Sequence, residues 1–318
     1  MIALLCPGQG SQTPGMLNEW LEIDGAGDFL GELSEAARTD LIALGTTAGA
    51  EEIKDTAVAQ PLIVATSLLT AWVLGNERGP VHSWAGAVAG HSVGEFAATA
   101  IASVLTDAEA TALVGVRGRA MAAAAAQADT GMAAVIGPDP QAASTAIVDA
   151  GLVPANVNGG GQIVAAGTSA ALAAFAENPP SKTRVIPLAV AGAFHTEHMA
   201  PAISDVAAAA EALTPGNPRL PLISNADGQV TDSGEAMLAS LVSQITSPVR
   251  WDLCQETLAS RGVEAIIELA PGGVLTGLAR RTLRGVPAVA IKGPADLDAA
   301  LALLSDHQST GESTKETE

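Results

Sequence analysis

Apolar positions along the chain fall into short continuous runs that end at glycine-rich or polar turns, with helically spaced stretches between them. Residues 2–6 (IALLC) predict a buried strand that runs straight into the polar loop PGQGSQ. Residues 59–74 are apolar at helical spacing until GNERGP breaks the pattern. A second apolar run, 84–89 (WAGAVA), is followed at once by GHSVGE and a small-residue helix over 93–102. Residues 108–126 predict a long helix carrying Arg117 and Arg119. Strand, turn and helix alternate in this way through most of the chain, which points to an α/β fold with a mostly parallel sheet.

Between Gly131 and about Pro187 the elements become shorter. MAAVIG, a helix over 140–150, LVPANVN, QIVAAG, a helix over 169–177 and TRVIPL follow one another as βαββαβ. That order is the ferredoxin-like split βαβ unit, large enough for an inserted subdomain. Beyond it the pattern predicts a helix from about 197, a strand PLISN, helices near 234–245 and 250–261, a strand AIIEL, a helix over 273–283, a strand AVAIK and a last helix to Leu304. The expected organisation is a large α/β domain from 1–128 and 188–305, a small ferredoxin-like subdomain over 129–187, and a disordered acidic tail over 306–318.

Composition narrows the function. The chain is 48% apolar and 15% charged, with four Phe, four Trp and no Tyr, so its core must be built from Ala, Val, Leu and Ile. No apolar stretch is expected to reach the roughly 20 uncharged residues of a membrane span. MIALLCPGQG lacks the basic start of a secretory signal. Cys6 and Cys254 are too far apart in sequence to suggest a disulfide framework, so a cytoplasmic location is expected. A net charge of −19 argues against nucleic acid as a partner. The charge is uneven: residues 261–292 carry Arg261, Arg280, Arg281, Arg284 and Lys292 against only Glu264 and Glu268. That stretch is either a solvated helix face or a docking patch for an acidic partner.

The strongest chemical signal is Gly90-His91-Ser92-Val93-Gly94, a G-x-S-x-G between an apolar strand and a helix. The glycines permit a sharp turn that lifts the Ser92 hydroxyl above the strand's carboxyl end, beside the N–H groups of the next helix. Ser92 needs a base, normally a histidine. His82 falls in a loop and His307 in the tail. His91 adjoins the nucleophile and suits the pocket lining, while His195 in AGAFHTEHM lies where a sheet-top residue would face the site. His198 reads as a surface helix residue, and no third ligand is spaced to let His195 and His198 bind a metal with His91. Asp205, Asp227 and Asp252 are candidates to orient the histidine, and a backbone carbonyl would serve as well. Gln9 and Gln12 fall where donors could build an oxyanion hole. Arg117, set among alanines, suits an anionic partner such as a substrate carboxylate, and Arg119 suits solvent.

Taken together, these segments resemble the malonyl-CoA:acyl carrier protein transacylase family and, more distantly, the acyltransferase domains of polyketide and fatty acid synthases. The likeness runs through PGQGSQ at 7–12, GHSVGE at 90–95, VRGRAM at 116–121, NVNGGGQIVAAG at 156–167, GAFHTEHM at 192–199, QITSPVRW at 244–251 and ELAPGGVLTGLARR at 268–281. The resemblance implies a hydrolase-like α/β core with a ferredoxin-like insertion. It implies that Ser92 is acylated with His195 as its base, and that the main-chain carbonyl of Gln244 orients the imidazole. Gln9 and the Val93 N–H would form the oxyanion hole, and Arg117 would clamp the malonyl carboxylate. His91, Phe194 and Asn156 would complete the substrate pocket, Phe194-His195 matching the malonyl-selective form of the motif. Phe96 stands where tyrosine is common, and Cys6 replaces the usual aromatic before PGQG.

The implied partners are malonyl-CoA and acyl carrier protein, with no cofactor, no metal, no nucleic acid and no membrane, and a monomer is expected from the charge. Two other classes share these features: a serine esterase or thioesterase, which would release free acid, and a non-catalytic carrier-binding module. A closer variant would take methylmalonyl or another extender group.

Overall fold

The computed structural model of the chain describes residues 1–312. Its strands, in chain order, are β1 (Ile2–Cys6), β2 (Ala87–Gly90), β3 (Thr130–Ile136), β4 (Val153–Gly159), β5 (Gln162–Thr168), β6 (Arg184–Pro187), β7 (Leu222–Ile223), β8 (Val230–Thr231), β9 (Val249–Arg250), β10 (Ala265–Glu268) and β11 (Ala288–Ala290). They form two sheets. The larger runs β11-β10-β1-β2-β7-β8, parallel throughout except for the β7–β8 pair. Residues of β1, β2 and β10 are buried without exception, which is why they read as unbroken apolar runs and not as an alternation.

Helices cover both faces of this sheet. The central one, Thr56–Arg78, starts at the Asp55 cap and ends at Gly79. It corrects one expectation. By length and composition this helix is apolar enough to cross a membrane, yet most of it is buried inside the protein. Its apolar surface is used up by neighbouring helices, including Asp107–Ala125, which opens with a Thr106/Glu109 capping box. The chain after residue 196 also departs from a plain helix. Pro201 has no N–H to donate, and Glu197–Ala202 forms a 3-10 turn before the α-helix Ile203–Glu211.

The smaller sheet runs β6-β3-β5-β4-β9, with β3–β6 antiparallel to their neighbours in the ferredoxin-like order. Strand alternation divides its faces. Val135, Ile163 and Ala165 pack under the helices Pro140–Asp149 and Ser169–Glu177, while Met132, Val164 and Ala166 join the core of the large sheet. The sheet is completed by β9, which comes from the later part of the chain and pairs in parallel with β4, Asn156 against Val249. The last helix, Leu297–Glu312, continues past Leu304, so 306–312 is helical where a disordered tail is expected; the remainder of that tail, 313–318, lies outside the described residues.

Candidate active site

The PGQGSQ loop after β1 and the GHSVG turn after β2 emerge side by side at the carboxyl edge of the large sheet, since β1 and β2 are adjacent and parallel. The turn is tight. A Cβ on Gly90 would sit 2.2 Å from the Glu95 nitrogen, and one on Gly94 would sit 2.2 Å from the Cys6 carbonyl oxygen. Only glycine fits at either place, and the compression leaves Ser92 in the left-handed region at φ 52°. The helix Gly94–Ile101 starts immediately beyond, with Val93 at its N-cap.

Ser92 Oγ lies 2.7 Å from His195 Nε2. His195 is itself in the left-handed region, at φ 61°, and its Nδ1 lies 2.8 Å from the main-chain oxygen of Gln244. A carbonyl only accepts, so Nδ1 carries the proton and Nε2 offers its lone pair to the serine. Burial, reinforced by the Arg117 charge and with His91 contributing less, pulls the His195 pKa down to about 3. The ring is therefore neutral, the form a general base requires. None of the three candidate aspartates takes this place. Asp252 pairs with Arg250 at 2.8 Å, Asp227 accepts from the Gln229 N–H, and Asp205 is exposed on its helix.

Arg117 is 1% exposed. Its Nη1 donates to Gln60 Oε1 and its Nη2 to Gln244 Oε1, both at 2.7 Å, and its guanidinium lies 5.5 Å from the centre of the Phe96 ring. No ion pair among the described residues involves it, and its Nε has no partner. Burial lowers its pKa to about 10, with the Glu95 charge acting in the opposite direction, so it stays a cation at neutral pH. A buried guanidinium satisfied only by neutral amides is a ready receptor for an anion. Glu95, in turn, accepts from Gln244 Nε2 at 2.6 Å and from the Asn225 N–H at 2.6 Å; burial pushes its pKa up to about 7 against the pull of those donors.

Ser92, His195, Arg117 and Gln60 line one small cavity of about 70 Å³. Its polar wall is Gln9, Gln60, His91, Ser92, Arg117, Asn156 and His195, and its apolar wall is Met121, Met132, Val164, Leu188, Val190 and Phe194. His91 Nε2 is held by Asn158 Oδ1 at 2.9 Å and the ring meets Trp251 edge-on at 5.6 Å. Gln9 reaches Thr56 Oγ1 at 3.5 Å, while Gln12 is turned away to the Ile53 carbonyl. The Asn156 Oδ1 is buried and has no hydrogen-bond partner among the described residues. Arg119 is exposed and donates to the Ala37 carbonyl, and His198 and His82 are exposed. Cys6 is fully buried, and burial, with the Glu268 charge adding to it, holds its thiol protonated. Three polar partners were not singled out as site residues from sequence: Gln60, Glu95 and Asn158. A lone glutamine in the apolar run QPLIVATSLL was the available signal for Gln60. A larger groove of about 690 Å³, between the helices Ile203–Glu211 and Gly234–Ser243, contains none of this chemistry. Among the described residues no cluster of His, Cys, Asp and Glu could hold a metal ion.

A family model for the acyl transferase domain matches residues 3–308. The malonyl CoA-acyl carrier protein transacylase of Mycobacterium tuberculosis is 54% identical over 298 residues, covering 94% of this chain and 98% of that protein. The crystal structure of MCAT from Mycobacterium tuberculosis superposes with a TM-score of 0.90 at 54% identity, covering 94% of this chain and 99% of the other. A malonyl-transacylase solved in complex with its type II PKS acyl-carrier protein gives a TM-score of 0.88 at 32% identity, with 95% and 99% covered.

Proposed function

This chain belongs to the acyl transferase family, and we propose that it moves malonyl groups from malonyl-CoA to the phosphopantetheine thiol of acyl carrier protein through an ester on Ser92. The product supplies fatty acid or polyketide synthesis. The single observation that carries the assignment is the meeting, in one small cavity, of the Ser92–His195 pair with the buried guanidinium of Arg117, which makes no ion pair among the described residues.

In the first half-reaction the Ser92 oxygen attacks the thioester carbonyl carbon as His195 Nε2 takes its proton. Charge builds on the carbonyl oxygen, where the Val93 N–H and the Gln9 amide act as donors. The carbon–sulfur bond then breaks, and coenzyme A leaves with the proton from His195. In the second half, His195 takes the proton of the carrier's thiol, the sulfur attacks the malonyl ester, and Ser92 recovers its proton as leaving group. Arg117 holds the free carboxylate throughout, which fixes the ester carbonyl toward the incoming thiol. His91, Phe194 and Asn156 shape the pocket around the acyl group. No step calls for a metal or a bound cofactor.

The carrier docks where the surface is basic. Arg280, Arg281, Arg284 and Lys292 are exposed and make no ion pair among the described residues, on a chain of net charge −19. Cys6 and Cys254 are free and buried, in keeping with a reducing cytoplasm, and the repulsive charge favours a monomer. A steady-state assay with malonyl-CoA and holo carrier protein tests the assignment. Malonyl-carrier should form faster than free malonate, and Arg280→Glu with Arg284→Glu should raise the KM for carrier and leave that for malonyl-CoA. Malonate as the main product would replace transfer by hydrolysis, and an unchanged carrier KM would move the dock elsewhere.

A further inference from the structure

Glu95 is a fully buried carboxylate in the first turn after the nucleophile, and none of the transfer steps uses it. Every group its oxygens meet is a donor: the Asn225 N–H at 2.6 Å and the Ser224 hydroxyl at 3.3 Å on Oε1, and Gln244 Nε2 at 2.6 Å on Oε2. It makes no direct ion pair among the described residues. The charged group facing it across the neighbouring elements is Arg117; the Cys254 thiol, which burial holds protonated, is neutral.

The Gln244 carboxamide lies between the two opposite charges. Its nitrogen points at Glu95 and at the Ser92 carbonyl oxygen, 3.1 Å away, and its oxygen points at Arg117 Nη2. Turning the amide over would set oxygen against a carboxylate and a carbonyl, and an NH2 group against a guanidinium. All three contacts would become repulsive, so the carboxylate imposes a single orientation on the amide. With that orientation fixed, an acceptor faces Arg117 from one side and Gln60 Oε1 faces it from the other, which aims the remaining donors into the cavity.

We propose that Glu95 is a positioning residue for acyl selectivity: through the Gln244 carboxamide it holds the Arg117 guanidinium where the acyl carboxylate binds. The proposal rests on the malonyl-transfer assignment and adds to it a residue that touches neither substrate nor the reacting atoms.

The test uses the full chain and follows single-turnover acyl-enzyme formation by intact mass, with malonyl-CoA and acetyl-CoA in parallel. Glu95→Gln keeps the shape of the side chain and removes its charge. It should lower the malonyl-to-acetyl rate ratio roughly tenfold, the scale of one hydrogen bond to a charged group. Equal losses for both acyl groups would reduce Glu95 to a prop beneath the turn, and an unchanged ratio would also overturn the proposal. Gln244→Met retains the main-chain carbonyl that meets His195 and deletes the bridging amide, and it should lower the ratio in the same way. If it does not, the bridge is dispensable and the proposal fails even where Glu95→Gln does not fold. Absence of any acyl adduct on the wild type would remove the transfer assignment itself, and the proposal with it.

Discussion

The main-chain oxygen of Gln244 lies 2.8 Å from Nδ1 of His195, in the place where a hydrolase triad would hold a carboxylate. A neutral acceptor fixes the tautomer and orientation of the ring without stabilising an imidazolium as a carboxylate would. Asp205, Asp227 and Asp252 are therefore spectators. Replacing each by Asn should leave the rate of Ser92 acylation essentially unchanged in stopped mass-spectrometric assays. A collapse of the rate in any one of them would place an acid in the relay after all.

Arg117 spends its guanidinium on two neutral amides and keeps its charge for the substrate. Arg117→Ala should cost malonyl transfer about 1.5–3 kcal/mol, which is tenfold or more in rate. Acetyl transfer, which offers no carboxylate, should be spared or improved. Competition between the two thioesters, read as the ratio of malonylated to acetylated carrier, measures the change. An equal fall for both would end the carboxylate-clamp role.

The pH behaviour of the base follows from its surroundings. An exposed imidazole protonates near 6.5, but burial and the neighbouring Arg117 charge lower His195 to about 3, so the neutral, proton-accepting ring persists through the mildly acidic range. Acetyl-enzyme formation should hold level as pH falls from 8 to 5. Acetyl-CoA is the right probe because Glu95, with its pKa pushed up to about 7, titrates inside this range and, on the proposal above, bears on the malonyl clamp. An acid limb centred near 6.5 in the acetyl profile would show a histidine that is not shielded in this way.

Most of the large sheet and its helices could be read from the chain because each central strand is a continuous apolar run closed by a glycine turn. The nucleophile turn was equally plain, since Gly90 and Gly94 are required by backbone atoms within 2.2 Å. The helices Ala26–Ala37 and Leu41–Thr46 went unread, and so did features that depend on partners distant in sequence. Strand β9 is only Val249–Arg250 and exists because β4 lies alongside it. Gln60 looks like an ordinary polar residue, and Gln244, expected only for its main-chain carbonyl, gives no sign that its side chain matters until the fold brings the two to either side of Arg117, 57 and 127 positions away. The helix Thr56–Arg78 is longer and more evenly apolar than expected, and that apolarity belongs to a core helix packed on nearly every face.

Ser92 holds a left-handed backbone with a side chain that does not favour it, at φ 52°. That strain serves the geometry of attack and works against stability. Ser92→Gly and Ser92→Ala both delete the hydroxyl and its bond to His195, but only glycine relaxes the turn. The glycine variant should be the more stable of the two by about 1 kcal/mol in urea unfolding, with both unable to form an acyl-enzyme. Equal stability would mean that the turn is unstrained.

The central claim is that Ser92 carries the acyl group between two thiols, and the intact mass of the protein reports on it directly. Wild type and Ser92→Ala are each mixed with malonyl-CoA in the absence of carrier protein, and holo carrier is then added. The mechanism predicts a malonyl-sized adduct on the wild type alone, discharged when the carrier arrives, with malonyl appearing on the carrier. An adduct that persists on Ser92→Ala, or no adduct on the wild type while malonate is released, would contradict it.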